Sequence, residues 1–318
     1  MRWLIYILPL SLLMLACDQT SSHSSENDTQ QEGHARQVAL SDSFSNYWYN
    51  GEAEITTYRL EQVRYGDIHQ GHATFIFVTE PFSRSKQVKL DNPSAFPEDK
   101  VNVMKLNFSR KFNTGIYPYS LMMSNFRPIE NAANKHSLKT TFSAQEWCGQ
   151  SFFQLNQDAN KDYSYHGFSY FESVGDQRGS LEDVIPEDEL WSTLRIQPNL
   201  LPTGEVKLLP GLAYVRLRHV PIKAYDATAQ LKKIENNKMV YILDYEEIDR
   251  KLSITFDEQF PHTIRSWEEE MTSGFGKDAH LMTTKAVLME QIRSKYWQQN
   301  HPNDRSIRKQ LNLPENYQ

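Results

Sequence analysis

Strict alternation of apolar and polar residues recurs in separate stretches of this chain, and it sets the fold class. Leu252-Ser253-Ile254-Thr255-Phe256 has period two. Ala213, Val215 and Leu217 alternate with Tyr214, Arg216 and Arg218, and Tyr225, Ala227, Ala229 and Leu231 with Asp226, Thr228 and Gln230. Successive side chains of a strand point to opposite faces, so such runs read as half-buried antiparallel strands with one wet face. Aromatic and β-branched residues extend the same expectation to Ile55–Tyr65, Ala73–Thr79, Val101–Phe108, Ser137–Trp147, Tyr163–Ser173, Met239–Glu246 and Pro261–Ser266. Turn signals separate them: Tyr65-Gly66-Asp67, Gln70-Gly71, Pro202-Thr203-Gly204, Leu209-Pro210-Gly211 and Glu235-Asn236-Asn237-Lys238. Asp91–Lys100 reads as a loop, and Gly175–Leu190 as an acidic excursion holding a short helix.

Helical spacing is rare. Phe44–Glu52 reads as an aromatic-rich entry turn. In Thr283–Gln298, Ala286, Met289, Ile292 and Tyr296 or Trp297 follow a helical period, with Thr283 or Thr284 as cap. Asp304–Leu311 adds a further turn. The expected fold is mainly β with few helices (α+β): a large curved antiparallel sheet or half-barrel with a C-terminal helix.

The first residues are of a different kind. Arg2 is the only charge before Asp18, and Trp3 to Ala16 is an apolar run ending at Cys17. That is a short positive region, an apolar core and a small residue before a cut, and it is shorter than the ~20 residues that span a bilayer. Met14-Leu15-Ala16-Cys17 resembles a lipobox, with Met14 where Leu is usual. The implied organisation is a signal peptide over 1–16, then 17–43 as a lipidated Cys17 and a disordered tether, then one β-rich domain over 44–318. Asp18 to Gly33 reads DQTSSHSSENDTQQEG, without one aliphatic residue, and such a stretch cannot bury apolar surface. A chain so processed sits in a bacterial cell envelope, lipid-anchored by a palmitate-type acyl chain to the inner or outer membrane, with its domain outside the cytoplasm. Asp18 after the cysteine resembles the inner-membrane retention signal of some bacteria.

Charge and cysteine usage limit what the domain does. Without Arg2 there are 33 basic and 40 acidic side chains, a net of −7, spread along the chain. No basic run suggests nucleic acid. Of two cysteines only Cys148 remains as a thiol once Cys17 carries lipid, so no intramolecular disulfide forms.

Few motifs carry chemistry. His69-x-x-His72 alone is too common a spacing to specify zinc. Ser83-x-x-Lys86 and Ser306-x-x-Lys309 match a bare Ser-x-x-Lys pattern without its companions. Glycine loops for nucleotides, His-Glu-x-x-His and Gly-x-Ser-x-Gly are absent from the sequence. Trp267-Glu268-Glu269-Glu270 and the cluster Asp244, Glu246, Glu247 and Asp249 read as solvated strand ends or turns. No metal site and no cofactor is therefore expected, and enzymatic activity stays an open, less favoured alternative.

The most distinctive stretches are Lys111 to Ser120, with Tyr117 and Tyr119, and Gln145 to Gln150, with Trp147 and Cys148. Aromatics mixed with amides and glycine line binding concavities and also ordinary β cores, and both readings stay open. Cys148 reads as a small buried residue at a strand end, or as a catalytic thiol.

These stretches, with Tyr47 to Glu54 and Tyr170-Phe171-Glu172-Ser173, resemble a family of bacterial lipoproteins often labelled septum formation inhibitors of the Maf type. Maf enzymes open with a Leu-Ala-Ser-x-Ser-Pro-Arg-Arg-like loop, which this chain lacks, so the label implies no pyrophosphatase activity here. An exported lipoprotein with serial antiparallel strands is also similar, at the level of fold, to LolA, LolB and LppX, whose half-barrels cradle lipid or acyl chains. That similarity implies a non-enzymatic binding or carrier protein for lipid or another apolar ligand, with Tyr117, Tyr119, Trp147 and Cys148 as ligand-binding or core residues. A structural or assembly lipoprotein that binds another envelope protein or a glycan is the alternative, and a hydrolase using Cys148 or carboxylates is the third.

Overall fold

The computed structural model describes residues 40–130, 136–182 and 184–315. The expected signal peptide, Cys17 and all of the tether before residue 40 lie outside the described residues.

A short helix α1 (Asp42–Trp48) leads into β1 (Ala53–Arg64), β2 (Asp67–Ser83), β3 (Lys100–Thr114), β4 (Tyr117–Pro128), β5 (Lys139–Glu146), β6 (Gly149–Gln157), β7 (Tyr163–Ser169) and β8 (Gln177–Leu181). After β9 (Ile185–Pro186) come α2 (Leu190–Ile196), β10 (Gly204–Leu209) and α3 (Leu212–Arg218). The chain then runs through β11 (Tyr225–Ile234), β12 (Lys238–Tyr245), β13 (Arg250–Asp257), β14 (Ile264–Ser273) and β15 (His280–Ser294), and ends on α4 (Ser306–Gln310). The protein is mainly β, as its alternation implies, with few helices and a C-terminal one.

Among the described residues all fifteen strands belong to one sheet, ordered β8-β7-β6-β5-β4-β3-β2-β1-β15-β14-β13-β12-β11-β10-β9. Neighbours are antiparallel except β9 and β10. The first and last strands meet mid-sheet, in register from Ala53↔Ser294 to Glu61↔Lys285. At ~4.8 Å per strand, a flat sheet of this size would be about 70 Å wide. Yet its two edges, β8 and β9, are separated in sequence only by residues 182–184, a reach of about 14 Å at most. The sheet therefore curls until its edges are neighbours.

The inside of that curl is full. All seven residues of α2 are buried, and so are six of the seven in α3. Trp191 of α2 packs at 5.4 Å from Phe75 and 5.7 Å from Trp267, which stack on each other at 5.2 Å. Tyr58 and Phe108 complete this aromatic centre. Alternation places it: in β13, Arg250, Leu252, Ile254 and Phe256 are buried, while the residues between them are partly exposed. The outer face of β11, β13 and β14 is polar, with Asp226, Gln230, Lys251, Ser253 and Glu268, unlike the apolar band of a lipid-facing barrel. Among the described residues no helix is long and apolar enough to cross a membrane.

Two expected elements differ. Thr283–Gln298 is not a helix; most of it is β15, paired on both sides. A bulge where Tyr58↔Leu288 gives way to Thr57↔Glu290 leaves Met289 as an extra residue. It breaks period two and so imitates helical spacing. The C-terminal helix is α4, within the expected turn at Asp304–Leu311. Ala213–Leu217 is helical, not a strand: the segment is buried all round, so its periodicity has no wet face to report. The Glu268-Glu269-Glu270 run lies inside β14, and Glu269 is buried rather than solvated.

Candidate functional site

In an antiparallel meander every second turn falls on the same side. The β1–β2, β3–β4, β5–β6, β7–β8 and β14–β15 turns therefore share one rim of the curled sheet. Each exposes a large apolar residue at or beside its tip: Tyr65 (40%), Ile116 (84%), Trp147 (67%), Tyr170 (68%) and Phe275 (73%). Glycines in the left-handed region serve four of these turns, among them Gly66 at φ 85° and Gly115 at φ 58°.

Tyr65, Phe275 and Trp147 connect through one another and through Tyr117 and Tyr119. Phe275 stacks on Tyr65 at 6.3 Å, and the Tyr65 and Tyr119 hydroxyls lie 2.8 Å apart. Tyr119 lies flat against Phe112 at 4.9 Å, Tyr117 is 5.8 Å from Tyr119, and Trp147 is 6.2 Å from Tyr117. On the far side Tyr170 packs so tightly over Gly149 that a Cβ there would meet its ring at 2.6 Å. Two arginines sit beneath. The Arg64 guanidinium lies 4.2 Å from the centre of the Tyr65 ring and donates to the Leu217 carbonyl at 2.5 Å. Arg216 lies 4.3 Å from the Phe171 ring and donates to Ser151 at 2.7 Å. Burial first, then the charges of Arg216, Arg64 and Arg218, hold His219 below the ordinary imidazole range.

The structure separates the four aromatic and thiol candidates. Tyr119 is buried, with its ring in the core and its hydroxyl at the rim. Tyr117 is half-buried, and Trp147 is exposed at the β5–β6 turn. Cys148, expected as a buried strand end, is exposed at the same tip because the turn puts it past the last paired residue. Its N–H donates to Glu146 at 2.6 Å. The hydrogen bond of Glu146 to the thiol, then its charge, push the thiol up and away from the thiolate a nucleophile needs. Sequence reasoning had Tyr117, Tyr119 and Trp147; Tyr65, Phe275, Arg64 and Arg216 join them only through topology.

The other motifs have structural explanations. Three residues apart on β2, His69 and His72 point to opposite sheet faces and cannot share a metal. The Ser83 hydroxyl donates to Asp99 and accepts the Lys86 N–H at 3.0 Å, which caps a turn. Ser306 and Lys309 lie exposed on α4.

The concave face, reserved in the sequence reading for an apolar ligand, is occupied by α2, α3 and charged groups that fix them. Arg195 of α2 holds Glu54 of β1 through two contacts, 2.5 and 2.7 Å. Arg250 of β13 bridges Glu187, at 2.5 and 2.7 Å, to Glu269 at 2.7 Å. Glu189 accepts the Ser137 N–H at 2.6 Å and faces His136 and Arg127. A pocket lined by Arg64, Arg110, Arg218 and Glu269 holds about 20 Å³, about one water.

Comparison with family models, curated proteins and solved structures finds no match for this chain.

Proposed function

We propose that this protein is a membrane-anchored, non-enzymatic lipoprotein of the bacterial cell envelope that binds another envelope protein through its rim. The observation that carries the reading is the set of exposed apolar tips from five turns on one rim, backed by Arg64 and Arg216. Soluble proteins rarely expose such a connected apolar surface without a use for it. Tyr, Trp and Arg are also the residues that dominate binding energy at protein interfaces.

β1 begins beside α1 and ends at the rim, so the five turns lie about 40 Å along that strand from its first residue. A lipid-carrier reading lacks comparable support, because α2 and α3 stand where a LolA-like cradle keeps its acyl chain. A thiol hydrolase is disfavoured by the raised Cys148.

Crosslinking in intact membranes tests the proposal. The wild-type chain should give a discrete crosslinked complex, and Trp147→Ala with Phe275→Ala should reduce it at least tenfold with unchanged thermal stability. An undiminished complex in the double variant, or none above background in wild type, would refute the rim as the binding surface.

A further inference from the structure

Four arginine side chains are buried among the described residues, and three are matched to acids: Arg127 to Glu189, Arg195 to Glu54, and Arg250 to Glu187 and Glu269. The fourth, Arg216, is only 3% exposed and makes no ion pair among the described residues. Its Nε donates to Ser151 at 2.7 Å, and one terminal nitrogen lies 3.5 Å from Nε2 of His219, an imidazole held below its ordinary range and so a neutral acceptor. The Phe171 ring covers the guanidinium at 4.3 Å. The second terminal nitrogen makes no hydrogen bond among the described residues. Burial lowers Arg195, Arg250 and Arg216 alike; glutamates overcome it for the first two, whereas Arg216, under the added charge of Arg64, stays below the ordinary guanidinium range. Arg64 itself bonds only to the Leu217 carbonyl and to tyrosine hydroxyls. A buried charge without a counter-charge is costly, so the end of α3 lacks an anion.

The place for that anion is open. Arg216 lines a cavity of about 220 Å³ between the β7–β8 turn, which supplies Ser173 and Val174, and the connection from α3 to β11, which supplies Val220 and Ile222. Phe153 and Val215 add further apolar wall, and no acidic residue lines the space. Its volume equals about seven waters at ~30 Å³ each. Pockets that hold whole ligands run from about 300 to 1,000 Å³, so this one takes a single residue-sized group. It lies at the rim, since the β7–β8 turn is one of the five that form it.

We infer that this cavity receives the C-terminal residue of the rim's protein partner, its apolar side chain against Phe153, Val174 and Ile222 and its terminal carboxylate on Arg216. Guanidinium and carboxylate match in charge and in planar geometry, and capture of a chain's terminal carboxylate is a recurring mode of peptide recognition. Only a terminal residue joins a carboxylate to an apolar side chain within so small a volume. An internal Asp or Glu brings the charge without the apolar body, and an internal Leu or Val the reverse. The inference rests on the rim reading and adds the chemistry of the partner's end.

Fluorescence anisotropy on the full chain in detergent tests it. The probes are labelled Gly-Ser-Gly-Ser peptides extended by Val, Leu or Phe, each as the free acid and as the C-terminal amide. At least one free acid should bind saturably, and its amide at least tenfold more weakly. Val220→Trp, which fills the cavity and leaves Arg216 in place, and Arg216→Gln should each weaken the free acid tenfold or more. The acid–amide comparison on wild type decides the matter even if Arg216→Gln fails to fold. No binding by any free acid, equal binding of acid and amide, or tighter binding of 4-methylpentanoic acid than of every peptide would overturn the inference. Such a failure leaves the Trp147 and Phe275 crosslink standing. Conversely, acid-specific binding beside an undiminished crosslink in that double variant supports the cavity and places the error in the rim.

Discussion

Asp188 lies between Glu187 and Glu189 in the filled interior, and all three are buried. Burial raises its carboxyl, the Leu212 N–H at 3.0 Å pulls it back, and the charge of Glu187 raises it again, to about 7. The unfolded value is about 3.9. Between these two the unfolded chain has released the proton and the folded chain has kept it, so this group's contribution is complete below pH ~4 and is lost as pH rises to about 7. Burial raises Glu54, Glu189 and Glu269 as well, but Arg195, Arg127 and Arg250 overcome it and leave them below the usual range. These act in the opposite sense, in acid. Asp188→Asn keeps an oxygen for the Leu212 N–H and removes the titration. Its stability relative to wild type should climb between pH 4 and 7, by at most about 1.4 kcal/mol per pH unit. Urea unfolding at several pH values checks this, and parallel curves for the two proteins would contradict it.

At the scale of elements, α2 is the piece that converts a curled sheet into a solid body. Its Arg195 has two contacts to Glu54 and a third, at 2.9 Å, to the Pro261 carbonyl. Removing one partner of a buried pair leaves an uncompensated charge, whereas replacing both with apolar groups is often close to neutral. Arg195→Met should therefore destabilise by about 3–5 kcal/mol, and adding Glu54→Leu should recover most of that loss. Denaturant midpoints of the three variants check it; a double variant no better than the single would place the loss in packing instead. Little of α2 was legible in the sequence. Glu187-Asp188-Glu189 sits in a stretch read as an acidic excursion, and only topology reveals that these acids face Arg250 and Arg127 across the lumen. β13 was legible because it has one wet face, and the alternation reports that directly. β4, β6, β8 and β10 went unread because their apolar alternation is short or interrupted, as by Leu121-Met122-Met123 and Phe152-Phe153. At the rim, Trp147 and Tyr117 were visible as aromatic clusters near glycine. Their link to Tyr65 and Phe275 joins turns 210 residues apart, and no local pattern carries that information.

For the molecule as a whole, the order of the sheet matters more than any one strand. The chain divides at 182–184 into β1–β8 and β9–β15, and these halves are joined twice: covalently there, and by the β1–β15 ladder on the far side of the curl. The plug crosses between them, since α2 belongs to the second half while Glu54, Phe75 and Phe108 belong to the first. The covalent link is thus the weaker of the two connections once the chain is folded. A protease site inserted at 183, cut after folding, should leave two fragments that migrate as one species on native gels and separate only in denaturant. The melting temperature should fall, because the cut returns the loop-closure entropy that the short link removes, yet near-ultraviolet circular dichroism of Trp191 and Trp267 should persist. Immediate separation of the fragments in buffer would mean that the β1–β15 ladder and the plug do not bind the halves, and the curled, filled architecture would then depend on the three-residue link alone.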